Sequence, residues 1–286
     1  MSVLTLPRLI LAVSALLQAT PWVDPASHYV RLMTVEPGAQ LEVLDFGGTG
    51  RPIVLLAGLG NTAHVFDEFA PKLTSLGHVY AITRRGYGAS SRPESGYDVS
   101  RLGEDVLSVL DGLHIEKAIL IGHSIAGQEL SYLASAHRDR VAALIYLEAA
   151  YRYAYDVPVD VGKDVWTLAP ATMPASAPPP LPDAERRQPP GSSMADRAIL
   201  AGGRRFTKID LPTLAIFASP HDIGAATPDP TFEQFDEGMT ESQARAFERG
   251  VPGARVLRWP HANHYLFLTR QADVIKEVTG FIVALR

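Results

Sequence analysis

The sequence predicts an α/β fold, with a mostly parallel central sheet, helices on both faces and a small cap insertion. Short apolar runs alternate with helix-like stretches along the chain, which is typical of such sheets. Most of these runs are continuous rather than alternating, as in strands that are covered on both faces. The 286 residues are 47% hydrophobic, which is enough for one large core. We therefore predict a core domain in two parts, residues 20–150 and 211–286, with an insertion at residues 151–210.

Six apolar runs predict the strands of the parallel sheet, and each is followed by a glycine, a proline or a polar residue. These runs are residues 53–57, 78–82, 118–121, 143–147, 214–218 and 255–259. An antiparallel pair that leads into the sheet is predicted over Tyr29–Phe46, with its turn at Glu36-Pro37-Gly38. Since parallel strands end at the same edge, the residues that follow these runs should lie together.

Helices are predicted in the stretches between the strands, at residues 62–76, 99–113, 125–136 and 271–285. A further helix is predicted over Glu241–Arg249, because Thr240 and Gln243 have the spacing of a capping box.

The insertion differs from the rest of the chain in composition. Residues 157–190 hold nine of the 22 prolines of the chain, and proline disrupts both helix interiors and central strands. A long irregular stretch in a compact domain is typical of a lid or a binding loop.

Composition excludes several classes of function. Lys and Arg number 26 against 31 Asp and Glu, a net charge of −5, which argues against a nucleic-acid partner. There is no cysteine, so disulfides, zinc–thiolate sites and a cysteine nucleophile are excluded. The histidines lack the spacing of a helical metal site, and no phosphate loop or dinucleotide fingerprint is present. We therefore expect no metal and no cofactor.

The N-terminus has the pattern of an export signal. Arg8 precedes an apolar run over residues 9–17, and Ala19 is suited to a cleavage site. Residues 1–19 are therefore predicted to be a signal peptide, with an ordinary N-terminal helix as the alternative. The run is too short to span a bilayer, and no later segment is long and apolar enough, so no integral membrane span is expected. The predicted location is secreted or periplasmic, with the cytoplasm as the alternative.

The clearest chemical motif follows the third predicted parallel strand. Gly122-His123-Ser124-Ile125-Ala126-Gly127 joins a buried strand to a helix, the setting of a nucleophile elbow. The tight turn of an elbow lifts the serine hydroxyl above the sheet at a helix N-terminus, where backbone N–H groups stabilise an anion. The usual pattern has glycine two residues after the serine, whereas this chain has Ala126 there. We predict Ser124 to be a nucleophile.

A serine nucleophile needs a base within reach, and that base needs an acid to orient it. Two residues that follow predicted strands can supply these groups. His264 comes just after the last strand, and Asp222 comes just after the strand before it. Ser124, Asp222 and His264 are therefore predicted to form a catalytic triad.

With these residues the chain resembles the α/β-hydrolase superfamily from about Tyr29 onward, as a serine-esterase-like member with a Pro-rich cap. It also has Ala57-Gly58-Leu59-Gly60 after one strand and Arg85-Gly86-Tyr87-Gly88-Ala89-Ser90 after the next, similar to the R-G-x-G-x-S of the family. The resemblance implies that the Leu59 and Ile125 N–H groups form the oxyanion hole.

The resemblance leaves the base and the acid with rivals. It favours His264 over the nearby His261, because the family places its histidine just before an aromatic or apolar residue, here Tyr265. It leaves Glu148 as an alternative acid, because some family members place their acid at the end of that strand. The insertion is implied to be a cap or lid over the site.

The predicted function is a serine hydrolase, a carboxylesterase acting on a small-molecule ester through an acyl-enzyme. Other activities of the same triad remain alternatives: a lactonase, an amidase, a carbon–carbon bond hydrolase or a perhydrolase. Enzymes that cleave halides or epoxides would be expected to have Asp at the nucleophile position, so Ser124 argues against these. A ligand-binding receptor that kept the fold is a further alternative from a different class.

Overall fold

The structure, a computed structural model, describes residues 24, 27–155, 158–174, 178–201, 206, 208–224 and 229–285. The predicted signal peptide lies outside these residues. Within them, ten strands form one large sheet and one small one: β1 Tyr29–Glu36, β2 Ala39–Gly47, β3 Pro52–Leu56, β4 His78–Ile82, β5 Ala118–His123, β6 Val141–Leu147, β7 Thr213–Ala218, β8 His221–Asp222, β9 Arg255–Trp259 and β10 Ala262–Asn263.

The large sheet has eight strands in the order β1-β2-β4-β3-β5-β6-β7-β9. The first two are the predicted antiparallel pair, and β2 is also antiparallel to β4. The other five strands of the sheet continue from β4 in parallel pairs. This confirms the predicted fold class. The strands β8 and β10 form a parallel pair of their own, which brings the segments after β7 and β9 together.

Helices cover the large sheet on both faces, as the buried strands predicted. They are α1 Val99–Gly112, α2 Gly127–Ala136, α3 Lys163–Thr167, α4 Asp183–Arg186, α5 Ser193–Ala201, α6 Pro230–Gly250, α7 Leu266–Thr269 and α8 Gln271–Ala284. One apolar layer joins the sheet to α1, α2 and α6. The opposite layer joins it to α7, α8 and the residues that follow β3.

Two helix predictions are wrong in detail. Residues 62–76 form two short 3₁₀ helices, Ala63–Phe66 and Ala70–Leu73, instead of one helix. Pro71 lies within this stretch, and proline has no N–H with which to continue a helix. The capping box is also wrong, because Thr240 is buried in the interior of α6. That helix begins at Pro230, where the Asp229 side chain caps it by accepting from the Thr231 N–H at 2.8 Å.

The insertion between β6 and β7 contains α3, α4 and α5 among the residues that are described. The helices α3 and α4 have only five and four residues, and each lies between two prolines of the insertion. In the part of the chain that is resolved here, none of the helices combines the length and the hydrophobicity that crossing a bilayer requires.

Candidate active site

Ser124 lies on a strained turn between β5 and α2. Its backbone φ is +53°, in the left-handed region that non-glycine residues rarely adopt. The turn is crowded: a Cβ at Gly122 would lie 2.6 Å from Leu130 Cδ1, and a Cβ at Gly127 would lie 1.8 Å from the Ala149 carbonyl oxygen. The closest approach to the neighbouring backbone is therefore at residue 127. The glycine that this close approach requires is therefore at position 127, and position 126 can hold alanine instead of the usual glycine.

The loop after β3 lies directly beside this turn. A Cβ added at Gly58 would be 3.2 Å from Ser124 Cβ, so the Leu59 backbone lies next to the serine. The buried Arg84 guanidinium fixes the loop by donating to the Ala57 carbonyl at 2.9 Å and to the Gly58 carbonyl at 3.4 Å. Arg84 is in turn held by both oxygens of buried Glu129, at 2.9 and 2.6 Å. These hydrogen bonds hold the loop in place beside the serine.

His264 follows β10 and is held next to the elbow through His123, the residue before Ser124. Nε2 of His123 donates to the His264 carbonyl at 3.0 Å, and the two ring centroids are 4.8 Å apart. Burial and the neighbouring His264 lower the pKa of His123 to about 3, so this ring stays neutral. His123 therefore packs the elbow and does not exchange protons at neutral pH.

The carboxylate that His264 contacts is that of Glu148. His264 Nδ1 lies 3.1 Å from Glu148 Oε2, and the Glu148 side chain is fully buried. The Glu148 backbone also has a positive φ, +51°, directly after β6. Its other oxygen, Oε1, accepts from the Tyr151 hydroxyl at 2.6 Å and from the Ala218 N–H at 2.5 Å. The alternative acid of the sequence analysis is thus the one that reaches the histidine.

The assignment of Asp222 as the acid is corrected by this geometry. Asp222 is exposed, and its carboxylate accepts from the Gly224 N–H at 2.8 Å in a local turn. The reason is strand alternation: neighbouring residues of β8 point to opposite sides, so His221 faces Glu148 and Asp222 faces solvent. The structure therefore brings His264 and the loop of Leu59 to the elbow of Ser124 and Ile125, and leaves Asp222 outside.

Comparison with known proteins agrees with the fold. Residues 51–171 match the family model described as the alpha/beta hydrolase fold. The crystal structure of E-2-(acetamidomethylene)succinate hydrolase superposes with a TM-score of 0.65 at 21% identity, covering 90% of this chain and 100% of that one. The chain has the α/β-hydrolase fold, and residues 51–171 resemble the family of that name in sequence.

Curated relatives match this chain over shorter stretches. Epoxide hydrolase A of Mycobacterium tuberculosis is 39% identical over 114 residues, which is 38% of this chain and 35% of that protein. A non-heme chloroperoxidase of Streptomyces lividans is 32% identical over 120 residues, 41% of this chain and 44% of that protein. The chain therefore spans less than half the length of these relatives.

A second histidine, His221, extends the candidate site beyond the Glu148 carboxylate. His221 Nε2 lies 2.6 Å from Glu148 Oε2, and its Nδ1 lies 2.9 Å from Asp236 Oδ2 on α6. The His221 backbone N–H donates to the same Asp236 oxygen at 2.6 Å. Asp236, His221, Glu148 and His264 therefore form a continuous chain in which carboxylates and imidazoles alternate. Nothing in the sequence motifs pointed to Asp236.

The charges of His221 and Glu148 depend on each other and on their neighbours in this row of side chains. Burial would lower the pKa of His221, but Glu148 and Asp236 together raise it to about 10. Burial would likewise raise the pKa of Glu148, but His221 and His264 lower it to about 2. His221 is therefore a cation and Glu148 an anion at neutral pH, and the negative end of the pair faces His264.

Tyr153 is a further residue that sequence reasoning did not assign. Its hydroxyl donates to the Glu148 carbonyl at 3.3 Å and also lies within hydrogen-bonding reach of the Ser124 hydroxyl. Burial and the negative charge of Glu148 raise the pKa of Tyr153 well above its ordinary value. Tyr153 therefore stays protonated and presents a polar group to the serine.

Proposed function

We propose that this α/β hydrolase cleaves carboxylic esters through an acyl-enzyme, with Ser124 as nucleophile, His264 as general base and Glu148 as the orienting acid. The observation that carries the proposal is the pairing of His264 Nδ1 with buried Glu148 at 3.1 Å, beside a serine held at a positive φ. These are the three elements that a serine nucleophile requires: strain that exposes the hydroxyl, an imidazole and an ionised acid.

In the first half of the reaction, the Ser124 oxygen attacks the ester carbonyl while Nε2 of His264 takes the hydroxyl proton. The imidazolium that forms is stabilised by Glu148, which holds the proton of Nδ1 on the opposite side of the ring. His264 then gives its proton to the leaving alcohol, and the acyl group stays on Ser124. In the second half, water loses a proton to His264 and attacks the acyl carbonyl, which releases the acid and restores Ser124.

The oxyanion of each tetrahedral intermediate is assigned to the backbone N–H groups of Leu59 and Ile125. The contact of Gly58 with Ser124 supports the first assignment, and the position of Ile125 at the start of the elbow helix supports the second. Loss of one such donor costs about 3 kcal/mol of transition-state stabilisation. Arg84 contributes by fixing the carbonyls of Ala57 and Gly58, so that the next N–H is preorganised.

The surroundings favour esters with a small or medium apolar acyl group. Buried Ile125 packs in one cluster with Leu59 and Tyr153, so that the serine is flanked by apolar surface with a single phenol hydroxyl. We assign residues 151–210 as the cap, because α4 of this insertion contacts the loop after β3 through Glu185.

A panel of chromogenic esters, lactones and amides, with acyl chains of increasing length, tests the proposal. Purified protein should release chromophore from short and medium esters faster than from amides, and Ser124→Ala should abolish the release. Activity that persists in Ser124→Ala, or a complete absence of turnover across the ester series, would count against the proposed reaction.

Perhydrolysis is the second candidate, and the non-heme haloperoxidases among the relatives favour it. In this reaction hydrogen peroxide replaces water: its oxygen attacks the acyl carbonyl, His264 takes its proton, and a peracid leaves Ser124. The same ester assays with peroxide and a halide present would detect peracid through halide oxidation. Halide oxidation that also occurs without the ester would exclude this route, since the acyl group would then have no part.

We further propose that residues 1–19 direct export and are removed, so that the mature chain begins at Thr20. Mass spectrometry of protein recovered from the fractionated producing cells tests this directly. A protein outside the cytoplasm that begins at Thr20 supports it, and an intact N-terminus on cytoplasmic protein contradicts it.

A further inference from the structure

A second group of histidines and carboxylates lies on the other side of the loop that follows β3. His64 and Asp67 belong to the first 3₁₀ helix after this loop and to its cap, and both side chains are buried. Asp24 and His28 come from the segment before β1, and the His28 side chain is only 2% exposed. We call Asp24, His28, His64 and Asp67 the N-terminal His/Asp cluster.

Each of the four residues can offer one ligand atom, and these four atoms all lie within 4.8 Å of one another. His64 Nδ1 lies 3.0 Å from Asp67 Oδ2 and 3.2 Å from Asp24 Oδ2. The His28 ring lies between the same two carboxylates, with Nδ1 3.5 Å from Asp67 and Nε2 3.7 Å from Asp24. Ligands about 2.1 Å from a zinc ion in tetrahedral coordination would be about 3.4 Å apart. The two distances from His64 Nδ1, 3.0 and 3.2 Å, are close to this value.

Two buried atoms of the cluster are not satisfied by hydrogen bonds. Among the described residues, neither His28 Nδ1 nor Asp67 Oδ1 has a hydrogen-bond partner, although they face each other at 3.5 Å. Asp67 is only 5% exposed, and an unsatisfied buried carboxylate oxygen is costly. A cation between these two side chains would satisfy both atoms, whereas one proton on His64 cannot.

The contacts on the far side of the His64 ring are of the kind that metal-bound histidines commonly make. Glu42 Oε1 lies 3.6 Å from His64 Nε2, on the side of the ring away from Asp67. The other oxygen of Glu42 accepts from the Thr83 hydroxyl at 2.6 Å, which fixes the carboxylate. A carboxylate behind the second ring nitrogen selects the tautomer that leaves Nδ1 free to bind a metal.

A cleft of about 370 Å³ leads from the surface to Asp24 and Asp67. Its described lining includes two further acidic residues, Glu68 and Asp183, and neither lysine nor arginine. A cleft lined by one sign of charge concentrates ions of the opposite sign. The cluster is therefore buried but reachable by a small cation.

From this geometry we infer that the N-terminal His/Asp cluster is a binding site for a divalent transition-metal ion, of which Zn²⁺ is the best fit. Two imidazoles and two carboxylates suit Zn²⁺, whereas Mg²⁺ and Ca²⁺ prefer oxygen ligands alone. The bound ion would join the segment before β1 to the 3₁₀ helix beside the Leu59 loop. Sequence spacing did not indicate this site, because the four ligands come from two segments about 40 residues apart.

Calorimetric titration of chelator-treated protein with ZnCl₂, together with thermal unfolding, tests the inference. The catalytic group Glu148, His221 and His264 could also bind Zn²⁺, so the titration uses the His264→Ala variant as its background. We expect one ion per chain, and a melting temperature that rises by about 5–10 °C at a hundredfold excess over Kd. His28→Gln and Asp67→Asn should each weaken binding at least tenfold. His78→Gln is the matched control, because His78 pairs with Asp45 at 2.7 Å away from the cluster.

Zinc that does not bind, or that binds equally well to His28→Gln, Asp67→Asn and the control, would overturn the inference and show that the cluster holds protons only. If the cluster variants do not fold, Co²⁺ added to the His264→Ala protein decides the question. Tetrahedral Co²⁺ gives intense visible absorption, which Zn²⁺ but not Mg²⁺ should abolish. Weak octahedral absorption, or none, would overturn the inference. Ester hydrolysis by the unaltered site is measured separately, so failure of this proposal leaves the proposed function untouched.

Discussion

The charge of the candidate active site depends most on a single buried carboxylate, that of Glu148. It accepts hydrogen bonds from Tyr151 and the Ala218 N–H on one oxygen, and contacts His221 and His264 on the other. Full burial would favour the neutral acid, but these partners keep the pKa at about 2. Because Asp236 neutralises His221 from behind, one net negative charge remains to stabilise the imidazolium of His264.

Replacement of Glu148 should therefore inactivate the enzyme, whereas replacement of Asp222 should not. Glu148→Gln keeps the shape of the side chain but removes its charge, and we expect kcat on a chromogenic ester to fall by about two to four orders of magnitude. Asp222→Asn should stay within about twofold of the unaltered protein, because the Asp222 carboxylate is exposed and accepts from the Gly224 N–H within its own turn. Equal losses in the two variants, or a larger loss in Asp222→Asn, would contradict the assignment.

His221 should contribute stability that depends on pH. Its pKa in the folded protein is about 10, above its ordinary value of 6.5, so the contribution is fully present below pH 6.5 and is lost as the pH rises towards 10. The difference in free energy of unfolding between the unaltered protein and His221→Gln should therefore be larger at about pH 6 than at about pH 10. Urea unfolding at the two pH values measures it, and a difference that is independent of pH would show that His221 acts by packing alone.

The sequence predicts which strand ends lie close together, but it does not show which of two adjacent residues enters the site. His221 and Asp222 follow the same strand, and only the side on which each faces decides which one enters the site. That side depends on the pairing of β8 with β10, which joins segments about 40 residues apart. Ser124 and His264 were easier to identify, since each is marked by its own local pattern of strand, turn and aromatic neighbour.

At the scale of secondary structure, the elbow between β5 and α2 depends on glycines where backbone segments touch. Gly127 is the first residue of α2 and lies against the carbonyl of Ala149, which directly follows Glu148. This contact holds the turn of Ser124 close to the segment of Glu148. Periodicity predicted the strand and the helix, but this contact between two segments could only be seen in the structure.

Gly127→Ala should destabilise the protein by about 1–3 kcal/mol, because its methyl group would overlap the Ala149 carbonyl. Gly280→Ala is the matched control: Gly280 lies within α8 and a Cβ there would meet nothing within 4 Å. The control should stabilise by about 0.5–1 kcal/mol, since alanine is the better helix former. Urea unfolding of both variants checks the opposite signs, and equal effects would contradict the close contact.

A second contact between elements joins the cap to the Leu59 loop. Glu185 on α4 accepts from the Asn61 side chain and from the Thr62 N–H, each at 3.0 Å, and also from the Thr62 hydroxyl. Asn61 is held from the other side by the Tyr265 hydroxyl at 3.0 Å, next to His264. The cap therefore restrains the loop from which one oxyanion donor comes.

Glu185→Gln should lower kcat by roughly tenfold or more while changing KM less, because a displaced loop weakens transition-state contacts more than substrate binding. Asp183→Asn on the same helix is the control, since Asp183 is exposed and pairs with Arg186 on the surface. Kinetics on the preferred ester measure both variants. A change confined to KM, or a matching effect in the control, would indicate that α4 acts only as a wall of the binding site.

At the scale of the whole molecule, the parallel sheet brings every part of the site to one edge. The Leu59 loop follows β3, Ser124 follows β5, Glu148 follows β6 and His221 follows β7, in the order of the strands across the sheet. The alternation of apolar runs and helices predicted this fold, because burial on both faces leaves a clear pattern. Residues 62–76 and the start of α6 were not predicted correctly, since Pro71 and the Asp229 cap act locally within amphipathic stretches.

The most direct measurement is the rate at which a fluorophosphonate labels the protein, with the modified residue identified by mass spectrometry. We predict one adduct per chain, on Ser124. The adduct should form orders of magnitude more slowly in His264→Ala and Glu148→Gln, and at an unchanged rate in Asp222→Asn. The proposed roles of these residues would be contradicted by a folded protein that is not labelled or is labelled at another residue. Equally fast labelling without His264 and Glu148 would also contradict them.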